Sequence, residues 1–269
     1  YPMNTDISVL AAFGKEMLEG GKIGIDYYDS NPPLSMLVYV PVVIFSEMTG
    51  IPVYDATAYY CILLLLFSAV LVYSVLQYIN LPANDRIVIT GVFVLANAIL
   101  TNNSFGQRDQ IVLLGLFPFI LLQFCYFSTR KVPIVLQWLV LTTGTFAILL
   151  KPHFGLIPTA ILGLRLIQQK KISLFFKEPD FIALSTGVIA YLAVTWFFFE
   201  KFFTLILSDL VSLYIPTSEK PAWSKTLLYW PIIPAFWIST QSPYIELTKI
   251  RLINLFAFCA MTSLFCFLI

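Results

Sequence analysis

The sequence predicts an all-α, polytopic integral membrane protein, and three observations carry that prediction. Apolar residues make up 59% of the 269-residue chain and charged residues only 12%. Soluble domains run near about 45–50% apolar and about 25% charged, so one water-soluble core has no room for the excess, which must face lipid. The mean hydropathy is +0.84. Finally, the apolar residues come in long runs separated by short polar islands. A formal net charge of +1 argues against nucleic acid as a partner.

A bilayer-crossing helix takes roughly 20 apolar residues. Runs of that order lie near 57–79, 86–102, 110–127, 133–150, 154–168, 181–199, 227–243 and 252–269, which makes 57–269 a bundle of about eight transmembrane helices. The whole chain, 1–269, reads as a single transmembrane domain. It begins at Tyr1 rather than methionine and stops at Ile269 within an apolar run, so a piece of a longer protein is expected. The run 34–49 is short, carries Pro41 and ends at Gly50-Ile51-Pro52. It predicts a re-entrant or interfacial helix within an extracytoplasmic segment 1–56, with a full span as the alternative. In 202–214, Phe202, Phe203, Leu205, Ile206 and Leu210 recur at roughly helical spacing around Ser208 and Asp209. That pattern predicts an amphipathic helix on the outer face.

Lysine and arginine in short loops give the sidedness. Arg86, Arg130 with Lys131, Arg165 with Lys170, Lys171 and Lys177, and Lys249 with Arg251 fall on alternate connections, the expected cytoplasmic ones. Residues 1–56, the 102–110 connection, the Lys151-Pro152-His153 turn and 200–226 then share the opposite face. Cys61, Cys125, Cys259 and Cys266 each sit in an apolar run without a CxxC pattern. They read as small hydrophobes rather than a zinc site or a disulfide framework.

Three polar islands on that opposite face hold the candidate site residues. The first runs from Asp6 to Pro33 and includes Asp26 and the turn Tyr28-Asp29-Ser30-Asn31-Pro32-Pro33, whose prolines fix φ and hold the preceding residue extended. The second is Phe105-Gly106-Gln107-Arg108-Asp109-Gln110. Ionisable groups at membrane depth are costly and tend to be functional, although an aspartate at a helix start also simply complements the helix dipole. In the third, Lys151 and His153 flank Pro152 between two apolar runs. A cation, an imidazole and a tight turn suit the gripping of a phosphate or pyrophosphate. Asp6, Asp109 and His153 are also hard ligands for a divalent ion, so a metal stays open as an alternative while no cofactor is otherwise predicted. No glycine-rich phosphate loop, GxSxG or HExxH occurs, which removes the usual apparatus of nucleotide chemistry and of serine or zinc proteolysis.

The run of Asp6, a helix containing Ala11 and Ala12, Met17-Leu18-Glu19-Gly20-Gly21, the aromatic-Asp turn at Asp29 and Pro32-Pro33 resembles the first extracytoplasmic loop of the GT-C membrane glycosyltransferases. Look-alikes are the protein O-mannosyltransferases and the transferases that add aminoarabinose to lipid A. The resemblance is specific over about residues 1–50, looser to 155 and only architectural afterwards. It implies a GT-C-like helical bundle in a bacterial inner membrane with its site facing outward. Asp6, eleven residues before Met17, stands where the family carries its catalytic acid, and Asp109 where a second acid opens a helix. Relatives often have two adjacent acids, whereas here Ile7 follows Asp6.

The resemblance further implies inverting transfer of a hexosyl or pentosyl group from a polyprenyl-phosphate donor to a lipid, glycan or protein acceptor. Asp6 would be the general base; Arg108, Lys151 and His153 would meet the departing phosphate. Asp109 and Asp29 would contact or orient the substrate, and membrane lipids would surround the bundle. The rivals are a carrier or flippase for a lipid-linked substrate and a non-catalytic membrane subunit.

Overall fold

A computed structural model describes residues 4–79, 81–100, 105–127, 131–155, 158–159, 161–162, 165, 176–210 and 212. The chain divides into two compact units, Tyr1–Leu207 and Ser208–Ile269, and the description below is of the first. It is mostly helical. Among the described residues there is no strand, only an isolated bridge between Ile23 and Tyr27.

Helix α1 (Thr5–Leu18) starts where the Asn4 side chain accepts the Asp6 backbone N–H at 2.9 Å, an ordinary N-cap. Its buried residues Ile7, Leu10, Ala11 and Gly14 follow the i, i+3, i+4, i+7 spacing of one helical face, and that face packs on the next two helices. The expected single helix over 34–49 is two pieces, α2 (Leu34–Leu37) and α3 (Val40–Thr49). Pro41 is the physical reason, since it brings no N–H for the Leu37 carbonyl four residues earlier and sits instead in the first turn of α3, where none is needed.

Proline also sets the starts of later helices. Helix α4 (Val53–Leu76) follows Pro52, α5 (Ala83–Leu95) follows Pro82, α7 (Ile134–Leu150) follows Pro133, and α8 (Pro179–Phe198) begins on one. Thus α4 and α5 begin a few residues before their apolar runs suggest. Helix α5 runs on into a π-helical turn, Ala96–Leu100. Helix α6 (Arg108–Phe127) starts two residues before the expected span and takes Arg108 and Asp109 into its own first turn. Residues 158–159, 161–162 and 165 are helical. The expected spans 227–243 and 252–269 lie outside the described residues. The expected amphipathic segment is described as far as 210 and at 212; there the π-helical turn Phe202–Ile206 buries Phe202 and Ile206, while Lys201 and Leu205 stay exposed.

Among the described residues, three helices are long and apolar enough to cross a membrane: Val53–Leu76, Arg108–Tyr126 and Pro179–Phe198. Leu34–Thr49 and Ile134–Leu150 are shorter apolar segments. Helix α8 presents Ile189, Trp196, Phe197 and Phe198 outward, a face that lipid suits and water does not.

At the centre, α6 packs most extensively on α7, and glycine makes the approach close. A Cβ on Gly115 would stand 2.7 Å from the Thr143 carbonyl oxygen, and one on Gly144 would stand 2.5 Å from Phe119. Helix α4 closes the other side of α6. Pro118 lies inside α6 and has no N–H for the Leu114 carbonyl four residues earlier. The Ser68 hydroxyl on α4 donates to that carbonyl at 2.5 Å, which is how intramembrane prolines are accommodated. Replacing Ser68 with alanine strands the buried carbonyl. We expect a loss of about 1–3 kcal/mol, read as a lowered unfolding midpoint in neutral detergent. An unchanged midpoint would show that the freed carbonyl needs no donor from α4.

Arg165 departs from its expected setting. Counted by sequence among loop cations, it is helical and buried. Its guanidinium donates to Asp180, to Gln123 at 3.1 Å and to Glu178 at 2.6 Å, and lies over the Tyr126 ring. It therefore acts as a tie between α6 and the start of α8 rather than as a free surface charge.

Candidate functional site

Arg108 is the hub that brings the first and second polar islands together. A cation in the first turn of a helix faces the positive end of the helix dipole, so it needs acceptors from elsewhere. The Pro32-Pro33 turn supplies them. Arg108 Nη1 donates to Asn31 Oδ1 at 2.5 Å and to Ser35 Oγ at 3.1 Å. Asn31 is itself held, because its backbone N–H and its Nδ2 both donate to Asp29 Oδ1, at 2.9 and 2.8 Å. Arg108 Nη2 lies 3.9 Å from Asp6 Oδ2. The Arg108 side chain is 11% exposed and that of Asp6 67%, so a fixed cation stands beside a carboxylate open to its surroundings.

The third island joins through Asp109, which meets Lys151 Nζ at 2.5 Å. This pair couples the start of α6 to the end of α7, each charge complementing the dipole of its own helix end. Two polar groups result, one of Asp6, Asp29, Asn31 and Arg108 and one of Asp109 and Lys151, adjoining through the consecutive positions 108 and 109 of α6. His153 lies on the 3-10 turn Pro152–Gly155, and its side chain lies outside what the structure describes. Among the described residues no group of three or more His, Cys, Asp or Glu is placed to hold a metal ion. Asp26 serves its own loop, accepting the Lys22 backbone N–H at 2.7 Å. Tyr27 stacks on Phe13 of α1 with 5.0 Å between ring centroids. Burial, and then the carboxylates of Asp26, Glu16 and Asp29, push the Tyr27 phenol up to about 12, so it stays protonated.

The turn carrying Arg108 is fixed from both sides. Gly106 has φ +85°, a left-handed conformation that glycine adopts readily. Its carbonyl accepts the buried Tyr39 hydroxyl at 2.8 Å, and its N–H donates to Gln110 Oε1 at 2.6 Å. Gln110 Nε2 donates in turn to the Asn97 carbonyl of the π-helical turn at 2.8 Å. A Cβ at residue 106 would meet Thr57 at 3.1 Å, with Cys61 and Ile7 each at 3.3 Å. Gly106→Ala is therefore expected to lower stability by about 1–3 kcal/mol and to loosen Arg108. Thermal unfolding checks the first effect, and protease sensitivity of the 101–108 connection checks the second. Parent-like behaviour in both would mean that the turn relaxes without strain.

Sequence reasoning missed Asn31 and Ser35 as the groups that hold Arg108. Asn31 was visible only as part of a rigid turn, and Ser35 carries no charge to mark it. Below the cluster, a groove of about 240 Å³ runs between α4, α6 and α7, lined by Tyr60, Leu64, Phe67, Ile111, Leu114 and Phe146 among others. Ile111 lies about one helical turn into α6 from Arg108, so apolar groove and polar cluster adjoin along the same helix. No protein-family model, curated protein or solved structure matches this chain.

Proposed function

We propose that this protein is a membrane glycosyltransferase of GT-C type that moves a sugar from a polyprenyl-phosphate donor to an acceptor, with Asp6 as general base. The observation that carries the reading is the exposed Asp6 carboxylate beside a guanidinium held in place by Asn31 and Ser35. In the proposed step the acceptor hydroxyl gives its proton to Asp6 as its oxygen bonds to the anomeric carbon. The bond from that carbon to the phosphate oxygen breaks, and its electron pair leaves with the lipid phosphate. Negative charge develops on that leaving oxygen, where a preorganised cation is most effective. Arg108 is the cation proposed for it, with Lys151 and His153 of the following polar turn as the further groups proposed to meet the phosphate. Asp109 fixes Lys151, and Asp29 orients the Arg108 support. The apolar groove beside Ile111 suits part of the hydrocarbon tail. The acceptor is a lipid, glycan or protein substrate at the outward-facing side of the membrane.

The test compares the parent and Asp6→Asn, each as full-length protein, for release of polyprenyl phosphate from a panel of lipid-linked sugars. Release by the parent and its loss in the variant are expected. Equal release by both removes Asp6 from the chemistry. If neither releases lipid phosphate while labelled lipid still binds, the site belongs to a carrier instead.

A further inference from the structure

We propose that Asn31, oriented by Asp29, is a positioning residue that holds Arg108 for an anionic phosphate group without cancelling the guanidinium charge. The proposal rests on the reading that Arg108 faces a phosphate. A largely buried arginine is ordinarily compensated by a carboxylate in direct contact, as Arg165 is by Asp180 and Glu178. Arg108 is built differently. Its hydrogen-bond acceptors are the neutral oxygens of Asn31 and Ser35. Asp6 stands at 3.9 Å, beyond hydrogen-bond reach, and among the described residues no hydrogen bond engages Nη2. The neighbouring Asp109 is taken by Lys151.

Asp29 explains which end of the Asn31 amide meets the arginine. A carboxamide carries an acceptor at one end and two donors at the other. Because Asp29 Oδ1 receives Nδ2 at 2.8 Å, the carbonyl end is the one left for Arg108. The opposite orientation would set donor against donor. Asp29 is itself buried, and its Oδ2 has no partner among the described residues, so the bonds from Asn31 are its compensation. Asp29 is thereby kept one side chain back from the guanidinium, and the carboxylate that does stand in ion-pair range, the exposed Asp6 at 3.9 Å, compensates it less than a direct contact would.

The test relocates the acid. Asp29→Asn combined with Asn31→Asp keeps the net charge and the side-chain sizes but places the carboxylate directly on Arg108. Asp29→Asn alone removes the acid and leaves the amide. Full-length parent and both variants, in neutral detergent, are titrated calorimetrically with farnesyl phosphate and separately with inorganic phosphate. The exchange variant is expected to bind farnesyl phosphate about tenfold more weakly or worse, with an unfolding midpoint close to the parent's. The single variant keeps a carbonyl oxygen at position 29 to accept Asn31 Nδ2, so the amide stays oriented and binding at least as tight as the parent's is expected. The same ranking with inorganic phosphate would assign the effect to the phosphate alone, and its confinement to farnesyl phosphate would assign it to a lipid headgroup seated by its tail. Parent-like binding by a folded exchange variant, weaker binding by the single variant, or no binding by the parent would each overturn the proposal. If the exchange variant does not fold, the single variant decides. Because this ranking reads binding alone, it survives a failure of the sugar-transfer assay.

Discussion

Asp6→Asn is expected to cut release of polyprenyl phosphate by about 10²–10⁴-fold while donor binding changes little. The asparagine keeps the shape of the side chain and, at residue 6, the helix-start position behind the Asn4 cap. What it loses is the ability to take a proton from the acceptor hydroxyl. The Asp6 side chain is 67% exposed, so its replacement leaves no buried group stranded and stability should hold. This separates a chemical effect from a folding effect. A loss confined to turnover supports the general-base role. A rise in the donor concentration needed for half-saturation, with turnover intact, would instead make Asp6 a substrate contact, and parent-like kinetics would make it a bystander. Arg108→Lys provides the complementary comparison, because lysine keeps the charge but not the two-pronged hold on Asn31 and Ser35.

The second large effect belongs to Arg165. Arg165→Met is expected to destabilise the helical unit by ~3–5 kcal/mol, measured as a shift in the unfolding midpoint in detergent. The cost comes less from lost attraction than from what stays behind. Asp180 is wholly buried, and without the guanidinium its carboxylate keeps neutral donors such as the Phe181 backbone N–H at 3.0 Å but no cation. Adding Asp180→Asn to Arg165→Met should therefore recover a substantial part of the loss, because it removes the stranded charge. If the double variant is no more stable than the single one, an uncompensated acid is not the cause. If the single variant unfolds like the parent, the tie between α6 and α8 carries no stability.

The helical, membrane-type character of the chain was legible in sequence because it depends on local quantities. An apolar run of span length must be covered by lipid or by protein, and a helix satisfies its backbone internally whichever neighbour it has. The helix starts after Pro52 and Pro82 are equally local, since proline fixes φ and lacks a donor wherever it falls, but the apolar runs near 57 and 86 put them several residues late. The run 34–49 reads as one short helix, and its division into two at Pro41 was not legible.

The polar cluster was only half legible. Asp6, Asp29, Arg108, Asp109 and Lys151 stood out as ionisable residues amid apolar runs, and charge alone marked them. Nothing in a one-dimensional pattern marks Asn31 and Ser35, which are neutral and lie 77 and 73 positions from Arg108. Arg165 shows the converse: a basic residue near a run of lysines looked like a loop cation, yet it is buried against Asp180. For the described residues, the sequence by itself determined the mostly helical character and which residues carry charge, because backbone satisfaction and hydropathy act over a few neighbouring residues. Only the tertiary structure decided which charges are cancelled and which are left open, because Coulomb and hydrogen-bond energies depend on distances and burial that helix packing sets.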